Sequence, residues 1–213
     1  MLKYDYVIWD FNGTLLDDVQ TGIDSVNALL VERGLPRIES IEKYRSVFRF
    51  PIIDYYRTLG FDFEKESFEE LAPKWVALYL ENVKSASLYG DAIRTLDFIR
   101  SHGIKQSVLS ATEQSMLNGQ LCDLGINGYF EEILGLDNIH ALSKLRLADE
   151  WRERHPDSRV LFIGDTDHDV QTAELLGADC VLVARGHQPR AYLESLGVPV
   201  TDNFDGIVEL IKQ

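Results

Sequence analysis

The chain has 213 residues, of which 45% are hydrophobic, so it is long enough and apolar enough to fold around a packed core rather than remain disordered. Its 35 acidic and 21 basic residues give a formal net charge of −14, which argues against nucleic acid or an anionic membrane as a partner. Since no apolar run approaches the ~20 residues that cross a bilayer and no secretory signal begins the chain, we expect a cytoplasmic protein.

Short apolar runs predict the buried strands of the fold. The first run, residues 4–10, is rich in β-branched and aromatic side chains and ends at the turn-forming pair Asn12-Gly13. Continuous runs of this kind are typical of a parallel sheet that is covered on both faces. Three similar runs follow at residues 106–110, 160–164 and 180–184.

Helical patterns lie between these predicted strands. Apolar residues recur on one helical face ahead of Gly103, Gly125 and Gly177, and glycine is a common residue just beyond the end of a helix. A further pattern of the same kind begins at Leu142. Strands that alternate with helices predict an α/β fold, a doubly wound domain with a parallel, Rossmann-like sheet.

The stretch 17–86 interrupts this alternation. It contains helical patterns around Ile23 and Trp75 and no run that resembles a strand. We therefore expect a helical domain inserted after the first strand, so that residues 1–16 and 87–213 form the core. Ligands of open α/β sheets bind outside the carboxyl ends of the strands, and an insertion at this point would cover the site as a lid.

A carboxylate at the end of the first predicted strand is the first candidate for chemistry. Asp10 would be costly to bury unless its charge is used, and the turn at Gly13 lets backbone amides approach an anion. A carboxylate can attack phosphorus to form an aspartyl-phosphate, which divides one difficult step into two. The alternative is a structural aspartate that caps the turn.

A second acidic segment, GDTDHD at residues 164–169, also follows a predicted strand and contains three aspartates. Mg²⁺ prefers hard oxygen ligands, and two strand ends that lie side by side in a parallel sheet could supply them together. The alternative is an aspartate-rich helix N-terminus, which the helix dipole favours.

Two further residues are weaker candidates when each is taken alone. Ser110 is expected at a strand end just before a helix, where its hydroxyl and the helix amides could bind a phosphate oxygen. Lys144 could neutralise the charge of a transferring phosphoryl group. Each also has an ordinary interpretation, as a helix cap for the serine and as a surface residue for the lysine.

The order and spacing of these sites resemble the haloacid dehalogenase-like hydrolase superfamily, in particular its phosphoglycolate-phosphatase-like branch. The family's first motif is Asp-x-Asp-x-Thr, and this chain has DFNGTL at residues 10–15. Ser110 falls on the hydrophobic-Ser/Thr motif and Lys144 on the lysine motif. Asp165 and Asp169 fall on the Gly-Asp-x-x-x-Asp motif. The resemblance covers essentially the whole chain, and the helical insertion takes the place of the family's cap.

The resemblance implies a Mg²⁺-dependent phosphatase and a role for each matching position. Asp10 would be the nucleophile and a metal ligand, and the backbone carbonyl of Asn12 would bind the same ion. Asp165 would be a direct metal ligand, and Asp169 would support the metal or hold the motif lysine. Phosphate binding would fall to Thr14, Ser110 and Lys144, with Arg146 as the less favoured choice for the lysine motif.

Position 12 departs from the family pattern. The second aspartate of the motif usually protonates the leaving group and later activates water, and the amide of Asn12 can do neither at ordinary pH. General acid–base catalysis typically contributes about 10²- to 10⁴-fold. Because the implied metal ligand here is the backbone carbonyl, we expect intact Mg²⁺ and phosphate binding with slow turnover, slowest for alkoxide leaving groups.

Several explanations of Asn12 stay open at this point. A neighbouring group could replace the lost acid and base, and the candidates are Asp17, Asp18 and His168. The chain could instead be a phosphate-binding or regulatory protein that kept the site and lost the rate. Asn followed by Gly is also prone to deamidation, which would produce Asp in part, and an engineered substitution would give the same sequence.

The insertion is expected to contact the substrate. Arg45 and Arg49 flank a short apolar segment, and an arginine there could pair with a substrate carboxylate or a second phosphate, although a solvated helix arginine fits equally well. The substrate is expected to be a small phosphorylated metabolite, and the sequence leaves the oligomeric state open. Hinges for movement of the cap are expected near residues 15–18 and 84–88.

Overall fold

A parallel sheet runs through the centre of the molecule. The computed structural model describes residues 3–137 and 144–212. The strands are β1 (Tyr6–Trp9), β2 (Leu16–Asp17), β3 (Ser87–Leu88), β4 (Lys105–Glu113), β5 (Glu132–Leu136), β6 (Val160–Gly164), β7 (Asp179–Val183) and β8 (Val200–Thr201). Six of them form the main sheet in the order β5-β4-β1-β6-β7-β8, and every neighbouring pair is parallel.

Helices cover both faces of this sheet. The helices of the described chain, including those outside the sheet layers, are α1 (Val19–Glu32), α2 (Ile41–Val47), α3 (Ile52–Thr58), α4 (Phe68–Asn82), α5 (Ala92–Ser101), α6 (Gln114–Asp123), α7 (Leu145–Arg154), α8 (Asp167–Leu176), α9 (Arg190–Glu194) and α10 (Phe204–Lys212). Within the described ranges, none of them combines the length and the apolar character that a membrane span requires.

The central strand β1 explains why the sheet needs helices on both sides. Alternate side chains of a strand point to opposite faces. Val7 and Trp9 belong to one apolar cluster, with helices α5, α6 and α10, whereas Tyr6 and Ile8 belong to another, with α7 and α8. Both faces of β1 are thus buried, and the prediction of a doubly wound, Rossmann-like α/β core is confirmed.

The two edge strands of the sheet, β5 and β8, were not predicted. β5 begins with a glutamate, contains Gly135 and is only half-buried over its first three residues. β8 has two residues, both half-buried. An edge strand contacts the core on fewer sides than a central strand does, so it does not need the continuous apolar run that marks β1, β6 and β7.

Three predicted helices end where the glycines indicate. α5, α6 and α8 stop one or two residues before Gly103, Gly125 and Gly177, and Gly177 closes α8 with a φ of +57°, in the left-handed region. The fourth pattern is observed as α7, which is described from Leu145. Its predicted start at Leu142 lies outside the described residues.

Helices α1–α4 form the inserted cap, with an apolar core of its own. Val26, Leu30 and Leu71 are fully buried there, away from the clusters that flank the sheet. A two-stranded antiparallel ribbon, β2 with β3, lies where the chain passes between cap and core, and it pairs Leu16 with Leu88. The inserted helical cap of the predicted fold is confirmed, whereas its boundaries at residues 17 and 86 stay a prediction.

Candidate active site

The carboxyl ends of β1 and β6 bring three carboxylates together. Trp9 lies opposite Ile163 in the parallel ladder, so Asp10 and Asp165, which follow these strands, emerge at the same edge of the sheet. Asp169 joins them from the first turn of α8. All three side chains are buried, and each offers an oxygen within 4.8 Å of the others.

Lys144 lies among these carboxylates, immediately before α7. Its Nζ is 2.5 Å from Oδ1 of Asp10 and 2.5 Å from Oδ1 of Asp169, and the residue is 2% exposed. Burial by itself would lower the pKa of Lys144, but the charges of Asp10 and Asp169 hold it above its ordinary value. The lysine is therefore a buried, charged ammonium group at the centre of the acidic cluster.

The cluster carries more negative charge than Lys144 can balance. Burial raises the pKa of Asp10 to about 8, with the charges of Asp169 and Asp165 adding to the effect and Lys144 opposing it. Burial raises the pKa of Asp165 to about 6 in the same way, although His187 opposes the shift. Crowded hard oxygen donors with an excess of negative charge are the chemistry that a divalent cation accepts. The residues present therefore fit a metal ion.

Asp169 differs from the other two carboxylates in its contacts. Its Oδ2 accepts hydrogen bonds from the backbone amides of Asp165 and Thr166, at 2.9 and 2.8 Å, and from the Thr166 hydroxyl at 2.8 Å. Its Oδ1 holds Lys144. Asp169 is thus the side chain that orients the loop and the lysine.

The side chain of Asn12 is held by neighbours on both sides of its amide. Its Nδ2 donates to Oδ2 of Asp18 at 2.8 Å and to the hydroxyl of Tyr79 at 2.7 Å. Its Oδ1 accepts from the Thr112 hydroxyl at 2.7 Å. Burial would raise the pKa of Asp18, but hydrogen bonds from His187, Tyr79 and Asn12 hold it below its ordinary value. Asn12 therefore donates to an ionised carboxylate.

His187 is a site residue that the sequence analysis missed. Its backbone amide donates to Oδ2 of Asp165 at 2.6 Å, and its ring Nδ1 lies 2.8 Å from the hydroxyl of Tyr44 in the cap. Burial would lower its pKa, but Asp18 and Asp165 raise it to about 9. The available signal was its position just after β7, because ligands of such sheets bind at the carboxyl ends of the strands.

A cavity of about 170 Å³ lies between the cap and these strand ends. Its floor includes Asp10, Ser110, Lys144 and Asp165, and its walls come largely from aromatic side chains of the cap. The acidic cluster therefore faces a partly open space that can hold a small molecule.

Comparison with known proteins identifies the family. Residues 7–183 match the family model of the haloacid dehalogenase-like hydrolases, which is most of the chain. The chain belongs to this family. The match confirms the resemblance that the motifs indicate.

The relatives of this haloacid dehalogenase-like hydrolase are distant but cover most of its length. It is 24% identical over 187 residues to the phosphoglycolate phosphatase of Rhodobacter capsulatus, with 85% of each chain covered. It is 26% identical over 216 residues to the tyrosine-protein kinase PtkA of Mycobacterium tuberculosis, covering 96% of this chain and 70% of PtkA. A solved haloacid dehalogenase-like protein of Streptococcus pneumoniae has the same fold, with a TM-score of 0.78 and 19% identity over 98% of both chains.

Two residues of the predicted phosphate site, Thr14 and Ser110, differ in their access to the cavity. Thr14 is fully buried, and its hydroxyl donates to Oδ1 of Asp165 at 3.2 Å. Ser110 lines the cavity, but the expectation that a helix starts directly after it is wrong. β4 continues to Glu113, whose side chain caps α6. Ser110 can therefore offer its hydroxyl to a ligand, but not together with the N-terminus of α6.

The two candidate cap arginines lie away from the cavity of this haloacid dehalogenase-like hydrolase. The guanidinium of Arg45 donates to the backbone carbonyls of Arg185 and Gly186, so it joins the cap to the core. Arg49 is exposed, and its Nε donates to the carbonyl of Val47 at 3.2 Å. The structure thus brings neither guanidinium to the place that a substrate would occupy.

The three candidates for replacing the acid–base group at position 12 lie in different surroundings. Asp17 is exposed on the ribbon, whereas Asp18 is the direct neighbour of Asn12. His168 lines the cavity and stacks on Phe50, with ring centroids 4.7 Å apart. Burial and the charge of Lys144 lower the pKa of His168 to about 4, so it is neutral at ordinary pH.

Gly13 is a backbone position that this site requires. Its φ is +73°, and a Cβ added there would lie 2.5 Å from Oδ2 of Asp165 and 2.6 Å from the His187 ring. We expect Gly13→Ala to lower the free energy of unfolding because of backbone strain and also because the methyl group overpacks the site. The overpacking should add about 1–3 kcal/mol to the loss that backbone strain causes by itself. Denaturant unfolding measures the difference.

Gly34→Ala is the matched control for this substitution. Gly34 has a similar φ of +66°, but nothing lies within 4 Å of the added Cβ. It therefore reports the backbone strain without the clash. Equal destabilisation by the two substitutions would show that close approach to Asp165 and His187 has no energetic consequence.

Proposed function

We propose that this protein is a Mg²⁺-dependent phosphatase that hydrolyses a small phosphomonoester through an aspartyl-phosphate on Asp10. The observation that carries the proposal is the position of the Asp10 carboxylate at the floor of the cavity, in contact with Lys144 and within 4.8 Å of a carboxylate oxygen of Asp165. The name of the Rhodobacter capsulatus relative, phosphoglycolate phosphatase, supports this class of reaction.

Asp10, Asp165 and the backbone carbonyl of Asn12 would hold Mg²⁺, with Asp169 in support. When bound, the ion would neutralise phosphate charge and act as a Lewis acid. Bound cations also favour the ionised form of their ligands, so the raised pKa of Asp10 is compatible with a reactive carboxylate in the loaded site.

The chain's own residues would divide the work as follows. A carboxylate oxygen of Asp10 attacks phosphorus, the ester P–O bond breaks, and the departing oxygen takes up a proton. Water then attacks the aspartyl-phosphate, which releases phosphate and restores the Asp10 carboxylate. Lys144 and Ser110 both line the cavity and would donate hydrogen bonds to the phosphoryl oxygens.

A second function is favoured by Asn12. The amide cannot supply the proton of the first step or accept the proton of the second, and its neighbours hold it in place. A protein with this site could bind a phosphorylated ligand without rapid turnover and act as a phosphate-binding or regulatory protein. Substantial Mg²⁺-dependent turnover by the unaltered chain would argue for the phosphatase, and binding without turnover for the second function.

Removal of the metal tests the phosphatase directly. We expect the chain to release phosphate from p-nitrophenyl phosphate, whose leaving group needs little protonation, only when Mg²⁺ is present. Chelation with EDTA should stop the release, and excess Mg²⁺ should restore it. Release that is indifferent to EDTA would contradict a metal-dependent mechanism.

The stability of the protein provides a readout of metal binding that does not depend on activity. Mg²⁺ at 100 times its dissociation constant should raise the free energy of unfolding by about 2.7 kcal/mol. Asp165→Asn should remove most of this gain, because it deletes a charged ligand. Asp149→Asn changes the net charge equally at an exposed position and should keep it. If both variants respond alike, the stabilising ion binds elsewhere.

A further inference from the structure

The walls of the cavity are unusually aromatic. The cap contributes eight described rings to them: Tyr44, Phe48, Phe50, Tyr55, Tyr56, Phe68, Trp75 and Tyr79. Phe48, Phe50 and Trp75 are only half-buried and border the open space, and Phe48 and Trp75 also pack against the apolar core of the cap. A molecule in the cavity would therefore contact ring faces and edges over most of its surface.

Stacked pairs hold several of these rings in place. Phe48 stacks on His187 with ring centroids 4.9 Å apart, and Phe50 stacks on His168 at 4.7 Å. Each pair joins a ring of the cap to a ring of the core. Aromatic walls that are fixed in this way suit a flat, apolar ligand, since little side-chain ordering is needed on binding.

The same walls offer no unpaired lysine or arginine, among the described residues, to the leaving group of a bound ester. Of the described residues that line the cavity, Lys144 is the only lysine or arginine, and Asp10 and Asp169 already engage it. The residues outside the described ranges include no lysine or arginine in the sequence.

His187, a basic side chain in the lining, is already paired. It is bound through Nδ1 to Tyr44, and its Nε2 faces Asp18 at 3.5 Å. The carboxylates of Asp18 and Glu113 also line the cavity. A carboxylate on the leaving group would thus lose its hydration without gaining a partner.

Building on the phosphatase proposed above, we propose that the cavity selects phosphomonoesters with an uncharged aromatic leaving group over esters whose leaving group carries a carboxylate. The ring would lie against Phe48 and Trp75, and the phosphoryl group would face Asp10.

The test compares three alkyl phosphates by calorimetric titration of the unaltered chain in Mg²⁺: benzyl phosphate, ethyl phosphate and 2-phosphoglycolate. Ethyl phosphate and 2-phosphoglycolate are of similar size and differ by the carboxylate, whereas ethyl and benzyl phosphate differ by the ring. We expect benzyl phosphate to bind tightest and 2-phosphoglycolate weakest, with at least about a 10-fold difference between these two.

Substitutions in the wall identify the ring's contacts. Phe48→Leu and Trp75→Leu should each weaken benzyl phosphate by about 3- to 10-fold and leave ethyl phosphate unchanged. Phe63→Leu is the matched control, since Phe63 is a half-buried aromatic residue of the cap that does not line the cavity. An equal effect of all three substitutions would reduce the aromatic wall to a structural role and overturn the proposal.

The outcomes separate this inference from the proposed phosphatase. If p-nitrophenyl phosphate is hydrolysed but 2-phosphoglycolate binds as tightly as benzyl phosphate, the inferred selectivity is wrong and the phosphatase stands. If p-nitrophenyl phosphate is not hydrolysed but benzyl phosphate binds tightest, the selectivity stands for a binding protein. If none of the three esters binds, the selectivity fails, and the phosphatase fails with it only if p-nitrophenyl phosphate is not hydrolysed either.

Discussion

Replacing Asn12 with Asp is expected to raise the rate of phosphate release from an alkyl phosphate by about 10²- to 10⁴-fold. A carboxyl group at this position can donate a proton to the departing alkoxide and later take one from the attacking water. The gain should be smaller for p-nitrophenyl phosphate, whose leaving group needs little protonation. Steady-state rates of both variants with each ester, in Mg²⁺, measure the difference.

The neighbour Asp18 determines how this new carboxyl would behave. In the present structure Nδ2 of Asn12 lies 2.8 Å from Oδ2 of Asp18, and a carboxylate there would face a second carboxylate. Two carboxyl groups at this separation share a proton, so the pKa of the pair rises and a proton is available to the leaving group. The double variant Asn12→Asp with Asp18→Asn should therefore lose part of the gain.

Asn118→Asp provides the matched control, since it makes the same chemical change at an exposed position of α6. It should leave the rate unchanged. Equal, high rates in the unaltered chain and in Asn12→Asp would show that another group already transfers the protons. In that case Asp18→Asn in the unaltered chain becomes the decisive variant, because Asp18 is the carboxylate beside Asn12.

Peptide mass spectrometry of the active preparation tests whether Asn12 has been deamidated to Asp. An unmodified Asn12 in an active preparation excludes deamidation as the source of the activity.

Asp10→Asn is expected to reduce phosphate release from every ester to the uncatalysed background. The amide has nearly the same shape as the carboxylate, but it is not a nucleophile toward phosphorus. The variant should still fold, because burial raises the pKa of Asp10 to about 8 and the fold therefore favours the uncharged form of this side chain. Circular dichroism and denaturant unfolding check the fold separately from the rate.

The covalent intermediate supplies a second measurement of the same role. If Asn12 slows hydrolysis of the aspartyl-phosphate, this species should accumulate in the unaltered chain after mixing with p-nitrophenyl phosphate. Acid quenching followed by mass spectrometry should find phosphate on the peptide that contains Asp10, and none in Asp10→Asn. Full activity in Asp10→Asn, or phosphate on a different peptide, would remove Asp10 from the mechanism.

The amino-acid sequence by itself determined the class of fold and the outline of the candidate site. β1, β6 and β7 were predictable because a strand buried on both faces must be apolar along its whole length, and that is a local pattern. The same strands place Asp10 and Asp165 at their carboxyl ends, so a parallel sheet suffices to bring the two carboxylates together. Motif order then added Lys144, which no local pattern distinguishes from a surface lysine.

Other features depended on contacts between distant parts of the chain. The edge strands β5 and β8 form by pairing with a neighbour, and their own sequences carry little of that information. Arg45 binds carbonyls 140 or more positions away, so its role as a cap–core contact is not visible in its helix. Likewise, His187 reaches Asp165 only because β6 and β7 are adjacent.

The surroundings of Asn12 and Asp10 show most clearly what the sequence determines and what only the tertiary structure decides. The sequence identifies an amide where the family motif has a carboxylate, and it predicts the loss of an acid–base group. Only the tertiary structure places Asp18, Tyr79 and Thr112 around that amide, and only the packing of the cap on the core surrounds the Asp10 cavity with aromatic rings. Residue type determines which chemistry is available, whereas its charge state and its ligand depend on neighbours that folding brings from elsewhere in the chain.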